Sequence, residues 1–308
     1  MTTESWPEGS ETIEPRGPIT VRVPATSANL GTGFDAAGVA LQRYATVTVS
    51  VASGNEGERS PMSRHVRKAV REVYRELGRE RPESEDIEIS VEAEFPLGRG
   101  LGASAACRGA GLVAANALLG SPLSEHRILE IGSDLEGHAD NMAPALFGGC
   151  QIVAMTGETV TRVALPVADG LRFVGFTPSF NMSTKKGRAL LPKQLSRKDA
   201  VHNSCRSALL VAALTTGSWD ALQTATDDRL HQIPRSKLFP TMFELFEAAE
   251  NAGAFAAYLS GGGSTLMALA NDDCAEHVSE AWKSAAAVRG IEGQAFVSGI
   301  DTAGAQIL

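Results

Sequence analysis

Apolar and polar residues alternate at Ile19, Val21 and Val23, which are interleaved with Thr20 and Arg22, and this is the two-residue period of a half-buried strand. The period returns in ATVTVSVA from Ala45, and SANLGTGFDAAG between the two, from Ser27 to Gly38, reads as a turn-rich loop. From about Ser63 to Leu77 the spacing becomes that of a charged helix with Val66, Val70 and Val73 on one face. IEISVEAEF from Ile87 is strand-like again, and PLGRGLGASAACRGAGLVAANALL, residues 96–119, runs from a glycine loop into a small-residue helix. Ser121 and Pro122 read as the cap and first turn of a further helix. Its apolar face carries Ile128, Ile131 and Leu135, Glu130 lies on a different side, and Gly137 ends it. After ALFGGCQIVAM come strands near Val160–Val167 and Leu171–Phe176, a polar loop STKKGRALLP, and helices over about Arg197–Thr215 and Pro240–Ala252. AFAAYLSGGGSTLMALA, a helix from Cys274 and a strand near Gln294–Val297 close the chain.

The passage from a strand-and-helix first half to a helix-rich second half predicts a boundary near residue 165, so that 19–165 and 166–308 form two domains. A length of 308 residues, 43% hydrophobic and 21% charged, provides core for both. The acidic, polar start MTTESWPEGSETIEPRGP reads as a disordered tail over 1–18 rather than a signal peptide. A net charge of −8 without a basic cluster argues against nucleic acid and anionic membranes as partners and for small molecules. No apolar run reaches the roughly 18 residues of a membrane span. Cys107, Cys150, Cys205 and Cys274 lie far apart with neither disulfide-framework nor zinc spacing, which fits a reducing cytoplasm.

The chemistry suggested first is anion binding. Unpaired N–H groups at a helix start carry the positive end of the dipole, so a glycine loop entering a helix can hold a phosphate without a basic side chain. Gly98, Gly100 and Gly102 clear the approach, and Ser104 offers a hydroxyl to the phosphate or its metal. Neither the dinucleotide GxGxxG nor the GK[ST] of the common P-loop is present. Taken alone, the stretch is equally well read as a tight turn followed by close helix packing. LSGGGSTLMAL, residues 259–269, is likewise readable as an ordinary hairpin, and Asn29 and Asp35 in VPATSANLGTGFDAAGVAL as turn-formers or ligands.

In this order the three passages resemble the signature motifs of the GHMP small-molecule kinases, and VPATSANLGTGFD is similar to that of the homoserine kinases among them. EGHADNMAPALFGG, STKKGRALLP and DRLHQIPRSKLFP resemble further blocks of the same family, so the likeness covers about residues 19–300 in six ordered blocks. It implies a two-domain α/β (α+β) fold: a mixed α/β nucleotide-binding domain with a ribosomal-protein-like βαβ, then a ferredoxin-like α/β domain, with nucleotide and acceptor meeting between them. It also implies ATP- and Mg²⁺-dependent phosphorylation of the side-chain hydroxyl of L-homoserine to O-phospho-L-homoserine, in threonine synthesis in the cytoplasm. Homodimers are common in the family, and the sequence identifies no interface.

Carried over residue by residue, the resemblance assigns the ATP phosphates to Pro96, Leu97, Gly98, Arg99, Gly100, Leu101, Gly102, Ala103, Ser104 and Ala105. Mg²⁺ falls to Ser104 and Glu130, with Glu136 as the second choice, oxygen ligands that suit a hard cation. An amino-acid acceptor needs a guanidinium for its carboxylate and an anion or amide for its ammonium. Arg188 and Arg235 match the first, Asp35 the second, Asn29 and Asn141 the surrounding amides, and Thr184 and His138 the supporting contacts. Asn141, Asp35 and Arg188 form the implied catalytic set.

Several positions depart from the family pattern. Ala103 replaces a serine beside the phosphates, Thr32 and Ser264 replace prolines, HQIPR replaces HQPYR, and Arg64 stands where an asparagine is common near the adenine. Ala36 and Ala37 follow Asp35, which predicts a roomier acceptor wall. These departures motivate two alternatives: a paralogue acting on another hydroxylated amino acid or small alcohol, and a non-catalytic metabolite sensor on the same scaffold.

Overall fold

The computed structural model describes residues 17–51 and 59–308, so the expected tail lies, up to residue 16, outside the described residues. The first sheet is assembled from β1 (Ile19–Asn29), β2 (Gly33–Val51), β3 (Ile87–Ala93), β4 (Cys150–Thr156) and β5 (Thr159–Leu165), and all its pairings are antiparallel. On it lie α1 (Pro61–Glu76), α2 (Ala103–Leu118), α3 (Glu125–Glu136) and α4 (Met142–Phe147). The alternation at the start of β1 is realised: Val21 and Val23 are fully buried, and so are Val66, Val70 and Val73 on α1. Each such valine contributes about 1.5–3 kcal/mol. The small residues of α2 serve packing as well as the loop before them, because a Cβ on Gly111 would stand 2.8 Å from the carbonyl oxygen of Val66 on α1.

The second sheet comprises β6 (Arg172–Pro178), β7 (Ala256–Leu259), β8 (Leu266–Ala270) and β9 (Gly293–Ser298), in the order β7-β8-β6-β9. Between β6 and β7 run α5 (Thr184–Ala189), α6 (Arg197–Thr216), α7 (Leu222–Thr226), α8 (Gln232–Arg235) and α9 (Met242–Asn251), and α10 (Ala275–Val288) joins β8 to β9. This antiparallel order is the ferredoxin-like arrangement. Its core sets Trp282 of α10 against Phe176 of β6, and the Trp282 Nε1–H donates to the Leu245 carbonyl oxygen at 2.6 Å. The chain then returns, and β10 (Gln306–Ile307) pairs with β1 at the edge of the first sheet.

Two expectations are corrected. The loop expected over 27–38 belongs mostly to the ladder, since Ser27 pairs with Val39 and Ala28 with Gly38, with irregular register after Pro24 and after Ala28. Turn-type residues there kink the strands instead of ending them. The third helix is capped by Ser124, whose hydroxyl accepts from Arg127 N, and not by Ser121; Gly137 ends it as expected, in the left-handed region at φ 79°. Among the described residues no helix is long and apolar enough to cross a membrane, and all four cysteines are free.

Candidate active site

The glycine loop, the tip of the β1–β2 hairpin, the α3–α4 connection, α5, α8 and the turn between β7 and β8 line a cavity of about 590 Å³. The hairpin tip has three non-glycine residues at positive φ, Asn29 (72°), Leu30 (44°) and Asp35 (56°), a cost that persists only where surrounding bonds over-determine the backbone. Asn29 supplies two such bonds: Oδ1 accepts from Asp35 N at 3.1 Å and Nδ2 donates to Gly261 O at 2.9 Å. Asp35 thereby faces Arg188 of α5, which grips both carboxylate oxygens at 2.6 and 3.0 Å.

Arg235 of α8 is 1% exposed. Its Nη1 donates to Gly261 O at 2.9 Å and to His231 Nδ1 at 3.0 Å, while His231 Nε2 meets Gly31 O at 2.7 Å. A carbonyl accepts only, so Nε2 carries the proton and Nδ1 receives from the guanidinium, which makes His231 neutral. Burial likewise pushes the His231 pKa down. Beneath it the buried Asp228 accepts from the backbone N–H groups of Leu230, His231 and Gln232 and from Asn203 Nδ2, fixing the start of α8. Burial, then the neighbouring Arg188, push the Arg235 pKa down to about 10, which leaves it charged at neutral pH. Both guanidinium carbons stand 5.4 Å from the Phe34 ring centroid. Arg188 and Arg235, with Asp35, Asp140 and the buried Asp228 close by, present two guanidinium groups with which a ligand carboxylate can pair.

Asn141 joins this end to the glycine loop. Its Oδ1 accepts from Thr26 Oγ1 at 2.8 Å and its Nδ2 donates to Asp140 Oδ1 at 3.2 Å; that same oxygen receives His138 Nδ1 at 2.8 Å. Burial by itself would lower the His138 pKa, but the hydrogen bond to Asp140, together with the charges of Asp140 and Glu136, raises it above the ordinary value. Thr184 heads α5 and stands against Gly262, where an added Cβ would come within 3.1 Å of its Oγ1.

The glycine loop turns into α2 at Gly102, at φ 64°, where a Cβ would stand 1.8 Å from Thr26 Oγ1, so no other residue fits without displacing the Thr26–Asn141 bond. No side chain caps this helix start, and its first N–H groups present their dipole to the cavity. The LSGGGST turn backs the loop from behind: Ser260 Oγ donates to Gly100 O at 2.6 Å and Thr265 N to Arg99 O at 2.8 Å. Leu97, Gly98, Gly100, Gly102, Ala103 and Ser104 line the site cavity. Pro96, Arg99 and Leu101 instead line a separate space toward β9, and Ala105 is packed fully inside. A loop that reverses at successive glycines sends its side chains to opposite sides.

Glu130 is not brought to Ser104. Its carboxylate holds Arg127 Nη1 at 3.0 Å and His126 Nε2 at 3.4 Å, and Arg127 in turn holds Glu76 of α1 at 2.7 Å. Ser104 Oγ donates to Glu136 Oε2 at 3.0 Å, and Glu136 also pairs with Arg108 of α2. Six residues separate the two glutamates, about 240° around a helix axis, so only one of them can face α2. Arg64 is exposed and does not line the cavity, whereas His65 does, and neither Ala36 nor Ala37 borders the space beside Asp35. Thr26, Phe34, Asp140, Asp228 and His231 escaped the sequence reading. All five lie inside its motif blocks, so proximity to the motifs was the available signal.

The description "GHMP kinases N terminal domain" matches residues 64–149, and "GHMP kinases C terminal" matches residues 210–288. A homoserine kinase of Clostridium beijerinckii is 39% identical over 298 residues, covering 94% of this chain and 98% of that protein. One from Synechocystis sp. is 38% identical over 306 residues, with the same shares covered. The crystal structure of homoserine kinase from Cytophaga hutchinsonii superposes with a TM-score of 0.85 at 29% identity, over 95% of this chain and 98% of that one. The L. major mevalonate kinase crystallised with R-mevalonate, at 17% identity and a TM-score of 0.67 over 89% of this chain and 94% of that one, is similar in fold.

Proposed function

The chain belongs to the homoserine kinase family of the GHMP kinases, and on that premise we propose that it transfers the γ-phosphoryl group of ATP to the side-chain hydroxyl of L-homoserine, for threonine synthesis. The hydroxyl oxygen forms the new bond to the γ-phosphorus, the bond from that phosphorus to the β–γ bridging oxygen breaks to release ADP, and the hydroxyl proton passes to solvent. The carrying observation is the convergence of Arg188, Arg235 and Asp35 at one end of a cavity whose other end is the bare start of α2. Arg235 and Arg188 take the acceptor carboxylate. Asp35, whose two oxygens retain lone pairs beyond those given to Arg188, takes the ammonium. Asn141, held by Thr26 and Asp140, orients the hydroxyl, with Asn29, His138 and Thr184 in support. Phosphoryl transfer through a loose transition state asks chiefly for such alignment and for neutralised charge.

For the nucleotide, the N–H groups of the loop and of the start of α2 bind the phosphates. The hydroxyl of Ser104 and the carboxylate of Glu136, 3.0 Å apart, are hard oxygen donors that fit Mg²⁺. Mg²⁺ commonly takes one or two protein oxygens and completes its shell with phosphate and water. Bound there, Mg²⁺ would offset the charge that spreads over the transferring group. The reading takes 19–165 as the nucleotide half and 166–308 as its partner, with β10 returning to the first. Purified protein given ATP, Mg²⁺ and homoserine is expected to release ADP in step with homoserine consumed. No ADP, where an authentic homoserine kinase gives it in parallel, overturns the proposal.

A further inference from the structure

Arg108 lies four residues beyond Ser104 on α2, one helical turn along the same face. Long helical side chains lean back toward the N-terminus, so its guanidinium is carried toward the helix start, where it borders the same cavity as Gly102, Ala103 and Ser104. The side chain is 12% exposed, its Nη1 pairs with Glu136, and its Nε is buried without a partner. Glu136, at 7% exposure, thus serves both Ser104 and Arg108 before any ligand arrives.

That arrangement cannot survive unchanged beside a divalent cation on Glu136. A second positive group on one carboxylate is repelled, and a largely buried guanidinium deprived of its partner is costly. Terminal phosphates are the nearest replacement, and a guanidinium matches their oxygens bidentately. Ala103, which lacks the hydroxyl the family pattern has beside the phosphates, increases the need for another donor there.

We propose that Arg108 is a phosphate-binding residue of this kinase: it rests on Glu136 in the free protein and passes to the terminal phosphates of ATP as Glu136 turns to the cation. The proposal rests on the kinase reading above. It makes Arg108 responsible for affinity toward the triphosphate as well as for rate, and it makes Glu136 a ligand whose availability depends on the nucleotide.

The test uses the full chain, with calorimetric titration of Mg²⁺ and the non-hydrolysable analogue adenylyl imidodiphosphate alongside turnover. For Arg108→Met we expect analogue affinity to fall about 10- to 100-fold and kcat about 100-fold. Mn²⁺ binding measured without nucleotide should tighten, because Glu136 is freed. Arg108→Lys keeps the charge and loses the fork, so it should recover part of both losses; if the methionine variant does not fold, the lysine variant carries the test, with about a tenfold loss of analogue affinity. Analogue affinity and kcat within about twofold of the unaltered protein overturn the proposal, and so does a lowered melting temperature with unchanged analogue affinity. The unaltered protein in the same assay keeps the two readings apart. No ADP from it sinks the kinase reading, whereas normal turnover with an indifferent variant sinks only the role of Arg108.

Discussion

At the acceptor end of the cleft the charged groups are tied down in advance: Asp35 by Arg188 at 2.6 and 3.0 Å, and Arg235 by His231 and Gly261 over an Asp228 that anchors α8. At the phosphate end the backbone is bare, and the principal side chains, Ser104, Glu136 and Arg108, hold one another. On the function proposed above, the contrast follows from the ligands. A small zwitterion brings little binding surface, so its site must lose little freedom on binding, and preorganised guanidinium groups reduce that cost. A triphosphate brings its own charge and counterion, and groups that pair among themselves in its absence avoid a buried, unbalanced cluster.

Breaking the phosphate end should cost most. Glu136→Gln is expected to lower turnover by about 100-fold or more with the protein still folded, while Glu130→Gln, whose carboxylate is held by Arg127 and His126, stays within about twofold. Steady-state rates with melting curves check this, and equal losses in the two variants would remove the distinction between the glutamates. Breaking the acceptor end should act on one substrate only. Arg188→Ala loses a charge-assisted pair, so kcat/KM for homoserine should fall about 10- to 150-fold with the KM for ATP little changed. An unchanged homoserine KM would sink the carboxylate role.

Sharpening the contrast takes milder changes. Ala103→Ser returns a hydroxyl to the phosphate end and should lower the KM for ATP by about two- to tenfold, leaving homoserine alone. The smallest effect expected is on stability. The folded His138 pKa is raised above 6.5, so the His138–Asp140 pair contributes fully below the unfolded value and is lost as pH rises through the higher folded one. The melting temperature of His138→Gln should therefore differ from that of the unaltered protein more at about pH 6 than at about pH 8. A difference independent of pH would show that the pair's charge contributes nothing.

What the chain determined by itself was local. The alternation in β1 and the valine face of α1 follow from periods of two and 3.6 residues, which are properties of the backbone. Gly102, Asn29, Asp35, Arg188 and Arg235 were singled out through the family resemblance of their blocks, and the structure brings them to one cavity. What the tertiary structure decided was facing. Glu136 and not Glu130 meets Ser104, although the sequence puts Glu130 first and Glu136 second as the oxygen donor. Asp228 and His231 reach partners 25 and 200 residues away, Asn203 and Gly31, and Arg108 meets Glu136, 28 residues away. Such roles depend on angles around helix axes and on long-range approach, and a linear spacing encodes neither until the elements are packed together.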